Sequence, residues 1–218
     1  MIMTTPDRQD LRLLLAALRT RFEAGRSRED AIGEEIREVS AALDHTDAEP
    51  RDVRPTQHPL VQHLPATLAL TRTHAPEVAS VLEPIAELLP WRYSYQERVD
   101  APGLESSMGW AELVGPEAPF RSSEVCFGLT LIGPRNYYPP HHHPAIELYY
   151  VLAGHADWTA GGQTATQPPG ATILHHANIV HAMRTGEEPL LAIYSWTGDV
   201  VSPSVWADRG RLSDRTKP

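Results

Sequence analysis

The sequence predicts a chain that is mainly β with α: an N-terminal helical segment followed by a C-terminal antiparallel β-barrel. Apolar residues recur with the period of an α-helix as far as Leu89. From Pro90 onward that period stops, and short runs of β type alternate with glycine and proline turns. Seven of the eleven histidines lie between positions 141 and 181. We therefore expect the chemistry of the protein in its second half.

Two helices are predicted at the N-terminus. The first spans residues 7–24, where five apolar side chains form one stripe: Leu11, Leu14, Leu15, Leu18 and Phe22. A second helix is predicted from Ser27, because Ser27 and Asp30 resemble a capping box. Its buried face is expected to carry Ile32, Ile36, Val39 and Leu43. Each helix has one apolar face, so both must pack against another element.

Two further helices are predicted after a proline-rich surface loop at residues 45–59. They span residues 60–73 and 76–89, and Pro65 offers a later start for the first of them. The helical segment of residues 1–90 offers a thin core, because it has only about eighty helical residues. We therefore expect it to pack on the β-barrel of residues 91–218.

The strands of the barrel are predicted from short apolar runs between turn signals. These runs are residues 91–95, 109–114, 125–131, 148–152, 156–159, 171–174 and 190–194. The tail after Pro203 is polar and is expected to be only partly ordered. Many short strands with regular turns are typical of an antiparallel sandwich or a small barrel.

Composition excludes several classes of protein. A net charge of −9 argues against a nucleic-acid binder, which needs a basic surface. Cys126 is the only cysteine, so neither an intrachain disulfide nor a thiolate metal site can form. No signal-peptide pattern and no membrane-spanning apolar run is visible, so the expected location is the cytoplasm.

The stretch from Tyr137 to Tyr150 concentrates metal-ligand chemistry. His141 and His143 are two residues apart, so on a strand they share a face, whereas His142 points away. Glu147 would lie roughly 13 Å from His143 on a straight strand, too far to share a metal. Pro144 provides the bend that brings them together. Imidazole and carboxylate ligands suit one divalent transition metal, such as Zn, Fe, Mn, Co or Ni.

Two spacings carry a family resemblance. His141-x-His143-x3-Glu147-x6-Gly154 resembles the first metal motif of the cupin superfamily, whose fold is a double-stranded β-helix, or jelly-roll barrel.

The second cupin motif is matched by Gly170-x5-His176-x-Asn178-x2-His181. This register implies His181 as the fourth ligand and leaves His175 and His176 out of the ligand set. His176 stands where the motif has proline. Asn178 stands where the motif has glycine, a mild change because asparagine tolerates positive φ. Cupins are often dimers, which makes a homodimer possible.

A narrower resemblance is to the bacterial dimethylsulfoniopropionate (DMSP) lyase cupins. It is carried by Tyr138, His141, His143, Glu147, Tyr149, His181 and Trp196. It implies metal-dependent β-elimination that cleaves DMSP, a sulfonium carboxylate, to dimethyl sulfide and acrylate. The implied metal ligands are His141, His143, Glu147 and His181.

The chemistry of elimination suggests roles for the remaining residues. Tyr149 is the expected base, since a nearby cation would lower the pKa of its phenol. Tyr138 is the alternative base, or it donates a hydrogen bond to the substrate carboxylate. His141 is also expected near the substrate. Trp196 could receive the sulfonium by cation–π attraction. Two other functions stay open: a cupin dioxygenase or isomerase acting on another small carboxylate or keto compound, and a non-catalytic ligand-binding cupin.

Overall fold

The computed structural model describes residues 5–207. Helix α1 spans Arg8–Phe22, and all five residues of its predicted stripe are buried. Helix α2 spans Ala31–Leu43. The prediction that α2 begins at Ser27 is wrong, because the Asp30 carboxylate itself caps the helix by accepting a hydrogen bond from the Gly33 amide.

The next two helices are shorter than predicted. A 3₁₀ turn at Pro59–His63 leads into α3, Leu64–His74, which has Pro65 in its first turn. This is the later start that the proline offered. Helix α4 spans Pro76–Leu82 and so ends before the predicted residue 89. Ala86–Leu88 forms a separate 3₁₀ turn. A short helix α5, Leu104–Ser107, precedes the strands.

Eleven strands within residues 5–207 form two sheets. The strands are β1 Met108–Gly115, β2 Phe120–Arg121, β3 Val125–Ile132, β4 Tyr137–His142, β5 Ile146–Ala153, β6 Ala156–Ala160, β7 Gln163–Gln167, β8 Thr172–His175, β9 His181–Thr185, β10 Leu190–Thr197 and β11 Val205–Trp206. One sheet has six strands in the order β2-β1-β3-β10-β5-β8, and the other has five in the order β11-β4-β9-β6-β7. The chain passes from the second sheet to the first between β4 and β5.

The helices cover one face of the six-stranded sheet. One hydrophobic cluster joins the buried faces of α1 to α4 to Leu148, Leu191 and Ile193 of that sheet. Their sequence neighbours Tyr149 and Ala192 belong to a second cluster, which also contains Met183 of the five-stranded sheet. This alternation is the period of two of a β-strand. The helices therefore pack on the barrel as expected, and the division at residue 90 stays a prediction.

One of the β-type predictions needs correction. Residues 91–95 do not form a strand; only Arg92 pairs, in a single bridge to Trp110. The Trp91 side chain is instead buried, and its Nε1 donates to the Ala86 carbonyl. In the tail after Pro203, Val205 and Trp206 pair with β4 as strand β11. Residues 208–218 lie outside the described part.

Within the described residues, none of the helices has the length and apolar character needed to cross a membrane.

Candidate metal centre

The bend at Pro144 brings His143 and Glu147 together. β4 ends at His142 and β5 begins at Ile146, so the chain changes sheets between them. Instead of the long separation of a straight strand, Nε2 of His143 lies 3.1 Å from Oε2 of Glu147. The expected bend is confirmed, and its cause is local: proline has no amide hydrogen with which to continue the β4 ladder.

Three buried side chains form the candidate metal-binding set within the described residues: His143, Glu147 and His181, whose ligand atoms all lie within 4.8 Å of one another. Nε2 of His181 is 3.2 Å from the same Oε2 of Glu147. Two atoms bonded to one zinc ion at about 2.0–2.1 Å stand roughly 2.9–3.4 Å apart. The observed separations therefore fit a shared divalent ion.

Backbone hydrogen bonds orient the histidines for this role. Nδ1 of His143 donates to the Ala145 carbonyl at 3.1 Å, and Nδ1 of His181 donates to the Ile179 carbonyl at 3.0 Å. In the neutral imidazole, each bond places the single proton on Nδ1 and leaves the lone pair of Nε2 free to bind a metal. Nε2 of His181 is buried without a hydrogen-bond partner among the described residues. A metal ion would satisfy it.

His141 lies beside this set but is not one of its three members. It is buried, and its Nδ1 donates to the Pro139 carbonyl at 2.9 Å, the same pattern as in the other two histidines. Its ring stacks on Tyr138 at 3.9 Å and meets the His181 ring at 4.0 Å. Pairing of β4 with β9 places His141 directly opposite His181.

The Asn178 backbone explains how His181 reaches the site. Asn178 has φ of 62°, the left-handed conformation for which asparagine is the mildest substitute for glycine. Its amide donates to the His143 carbonyl at 2.7 Å, which ties the loop before β9 to the bend after β4. The two motifs are thus joined by a backbone hydrogen bond as well as by their side chains.

Two contacts to Glu147 were not predicted. Nε1 of Trp196 donates to Oε1 at 2.7 Å, and Nδ1 of His175 lies 3.4 Å from Oε2. Both come from strands that flank β5, since Trp196 and His175 are the register partners of Glu147 in β10 and β8. His175, which the motif leaves out of the ligand set, is therefore a fully buried neighbour of the site, whereas His176 is exposed.

A cavity of about 490 Å³ opens beside Glu147. Its wall includes the predicted residues Tyr138, Tyr149 and Trp196, together with Tyr95 and Tyr194. Tyr95 was missed by the sequence analysis; its hydroxyl is 2.5 Å from that of Tyr138, and its ring stacks on Trp206 at 4.3 Å. The cavity therefore has a wall of aromatic side chains, and the Glu147 carboxylate connects it to the histidine cluster.

The protein by itself does not favour ionised phenols here. Burial raises the pKa of Tyr149 well above its usual value, and the charge of Glu147 raises it further. The pKa of Tyr138 is likewise raised, by burial and by the neighbouring Tyr95 and Tyr149. A phenolate base at this site therefore requires a nearby positive charge.

The surroundings favour neutral imidazole at His141 and His175 and an ionised carboxylate at Glu147. Burial opposes a charged His143, but the neighbouring Glu147 outweighs burial and raises the pKa of that imidazole. Burial and the neighbouring His181 hold the pKa of His141 well below its usual value, and burial lowers the pKa of His175 to about 4. Burial opposes ionisation of Glu147, but His143 beside it holds the carboxyl pKa well below normal. Neutral His141 and ionised Glu147 are the ligand forms that bind divalent metals.

Comparisons with known proteins identify a family for this chain. A family model described as dimethylsulfoniopropionate lyase matches residues 33–192, well over half of the chain. The putative dimethylsulfoniopropionate lyase DddL of Cereibacter sphaeroides is 29% identical over 165 residues, which cover 75% of this chain and 69% of the relative. Dimethylsulfoniopropionate lyase DddQ of Ruegeria pomeroyi is 28% identical over 158 residues, which cover 72% of this chain and 78% of the relative.

Solved structures give the same result. The crystal structure of DddQ from Ruegeria pomeroyi matches with a TM-score of 0.71 at 25% identity, over 92% of this chain and 98% of that one. A chain from the crystal structures of the DMSP lyases RdDddP and RnDddQII matches with a TM-score of 0.71 at 27% identity, over 92% and 99%. The predicted cupin-type fold with N-terminal helices is confirmed. The chain belongs to the dimethylsulfoniopropionate lyase family.

Proposed function

We propose that the protein cleaves DMSP to dimethyl sulfide and acrylate by β-elimination at a divalent transition metal. The proposed ligands are His141, His143, Glu147 and His181. The observation that carries the proposal is the convergence of bare imidazole nitrogens on one Glu147 oxygen, at the end of an aromatic cavity. A bound divalent cation would supply the positive charge that stabilises the developing negative charge of the substrate and lowers the pKa of a neighbouring phenol.

Tyr149 is proposed as the base. Its side chain emerges from β5 on the same face as Glu147, two residues along the strand, and it lines the cavity. The phenolate oxygen would take the proton from the α-carbon of DMSP. The electron pair of that C–H bond then forms the double bond of acrylate, and the C–S bond breaks so that dimethyl sulfide leaves with its electron pair.

Tyr138 is proposed to hold the substrate carboxylate or to serve as the alternative base. Its hydroxyl is already fixed by Tyr95, and its ring is held against His141. Such fixed donors lower the cost of ordering the substrate.

The sulfonium end of the substrate suits the aromatic wall. Trp196 lines the cavity while its indole nitrogen is occupied by Glu147, so the role proposed for it is to offer the face of its ring. A cation without hydrogen-bond donors, such as dimethylsulfonium, is attracted to an aromatic face by cation–π interaction. Because the sulfur leaves as a neutral thioether, this attraction weakens after cleavage, which favours release of the product.

The proposal is tested by measuring dimethyl sulfide in the headspace above metal-loaded protein and DMSP, with metal-stripped protein as the control. We expect dimethyl sulfide and acrylate in equal amounts, formed only by the loaded protein. Tyr149→Phe should lower the rate by about 10²–10⁴-fold with the metal retained. Tyr150→Phe is the matched control, because Tyr150 packs against the opposite, helix-covered face. No product above the stripped control would refute the activity, and full activity of Tyr149→Phe would refute the assigned base.

A further inference from the structure

We propose that His175 is a positioning residue of the metal centre: its Nδ1–H group donates to Oε2 of Glu147 and holds that carboxylate in its metal-binding orientation. The inference rests on the metal centre of the proposed function. Neither histidine motif assigns a role to His175, and the elimination chemistry assigns it none.

The register of the six-stranded sheet places His175 at the site. It is the last residue of β8, and its Cα is the direct partner of the Glu147 Cα in β5. Directly opposed residues on neighbouring strands project their side chains to the same face. Accordingly, Nδ1 of His175 lies 3.4 Å from Oε2 of Glu147, and the imidazole is fully buried.

The chemistry of the contact fixes the tautomer. An ionised carboxylate can only accept hydrogen bonds, so the contact is favourable only if Nδ1 of His175 carries the proton. Nε2 is then bare, and it is buried with no hydrogen-bond partner among residues 5–207. In His143 and His181 the orientation is reversed: Nδ1 donates to the backbone, and Nε2 faces Glu147. His175 thus presents an N–H group to the carboxylate, so its geometry is that of a donor to a ligand.

Glu147 is held from both sides. Trp196 of β10 donates to Oε1, and His175 of β8 reaches Oε2. The His175 ring is itself immobilised, because it packs on the His181 ring at 4.0 Å with planes tilted by 31°. A carboxylate held at both oxygens does not have to be ordered when a metal binds, which is how partners of metal ligands raise affinity.

The role can be tested with three substitutions and Co²⁺ as the probe. In His175→Asn the side-chain NH₂ group takes the place of Nδ1–H and can still donate to Glu147. In His175→Gln the amide lies near the position of Nε2 instead, and His175→Ala removes both nitrogens. His176→Ala is the matched control, since His176 is the exposed neighbour. Co²⁺ affinity is measured by competition with a chelator, and the visible absorption of bound Co²⁺ reports its ligands.

We expect His175→Ala and His175→Gln to bind Co²⁺ about 10–100-fold more weakly, and His175→Asn and His176→Ala to stay within about threefold of the unsubstituted protein. The Co²⁺ spectrum of His175→Asn should be unchanged. Unchanged affinity in His175→Ala would overturn the proposal, as would an Asn variant as weak as the Ala variant. A shifted spectrum in His175→Asn would also overturn it, by making His175 a ligand. If His175→Ala does not fold, the Co²⁺ affinities of His175→Asn and His175→Gln are compared instead, and equal affinities would overturn the proposal. Since the readout is Co²⁺ binding, a failure to release dimethyl sulfide would count against the proposed function alone.

Discussion

Replacing Trp196 with phenylalanine removes one hydrogen bond from the proposed metal centre and keeps an aromatic ring at this position. Nε1 of Trp196 donates to Oε1 of Glu147 at 2.7 Å. The Trp196 ring also packs on His143, with centroids 4.3 Å apart and planes 30° from parallel. A phenylalanine keeps an aromatic ring against His143, but it leaves Oε1 without this donor.

The size of the effect follows from the charge of the acceptor. A hydrogen bond to a charged group contributes about 1.5–3 kcal/mol. Since about 1.4 kcal/mol corresponds to a factor of ten, the bond accounts for roughly 10–150-fold in an equilibrium constant. Loss of a hydrogen-bond partner of a metal ligand typically costs about 10–100-fold in affinity. We therefore expect Trp196→Phe to weaken Zn²⁺ binding by about 10–100-fold.

Zn²⁺ affinity is measured by competition with a chromophoric chelator, and the control is Trp158→Phe. Trp158 is also buried, but its Nε1 has no hydrogen-bond partner among the described residues. The control therefore loses indole volume without losing a hydrogen bond. If both variants bind Zn²⁺ as the unsubstituted protein does, or if both weaken it equally, the hydrogen bond does not support the metal ligand and the reasoning fails.

Three further predictions concern stability. Glu35 accepts a hydrogen bond from Thr197, and burial raises the pKa of its carboxyl group. The stability that this carboxyl contributes is therefore present below its unfolded pKa, and it is lost as the pH rises through its folded pKa. Glu35→Gln should therefore raise the melting temperature at pH 8 but not at pH 4; an equal effect at both pH values would contradict this. Gly154→Ala should cost more than about 2 kcal/mol in urea unfolding, because φ is 76° and the new Cβ would lie 2.0 Å from the Pro189 oxygen. Gly162→Ala, with φ of 83° and open space, should cost only about 1–2 kcal/mol, and equal losses would rule out the clash. Free Zn²⁺ at about 100 times its dissociation constant should stabilise the folded protein by about 2.7 kcal/mol and raise its melting temperature by roughly 5–10 °C. If the melting temperature does not change when a chelator removes Zn²⁺, no metal is bound in the folded state.

Local features of the metal centre could be predicted because short-range rules control them. The alternation of a strand put His141 and His143 on one face, and Pro144 predicted the bend that the structure shows between β4 and β5. Positive φ at Asn178 follows from the tolerance of asparagine for that conformation. Each of these inferences spans only a few residues of the chain.

Contacts between distant strands could not be predicted in the same way. The approach of His175 and Trp196 to Glu147 depends on which strands pair and in what register, which no short window of sequence specifies. Tyr95 was misplaced on a predicted strand for a related reason. Its aromatic segment packs over β4 and β11 as an irregular stretch, so its alternating pattern reflects burial and not sheet pairing.

A homodimer and a cytoplasmic location stay predictions of the sequence. The same imidazole and carboxylate ligands serve several divalent ions, so ligand type alone does not select one.

The central claim is that two separate histidine motifs bind a single metal ion, and metal content tests it most directly. Native mass spectrometry or elemental analysis of the loaded protein should give one divalent ion per chain. His181→Ala should lose that ion, whereas His142→Ala and His176→Ala, which change histidines outside the proposed ligand set, should keep it. One ion per chain retained by His181→Ala would contradict the claim, because the second motif would then contribute nothing to the site.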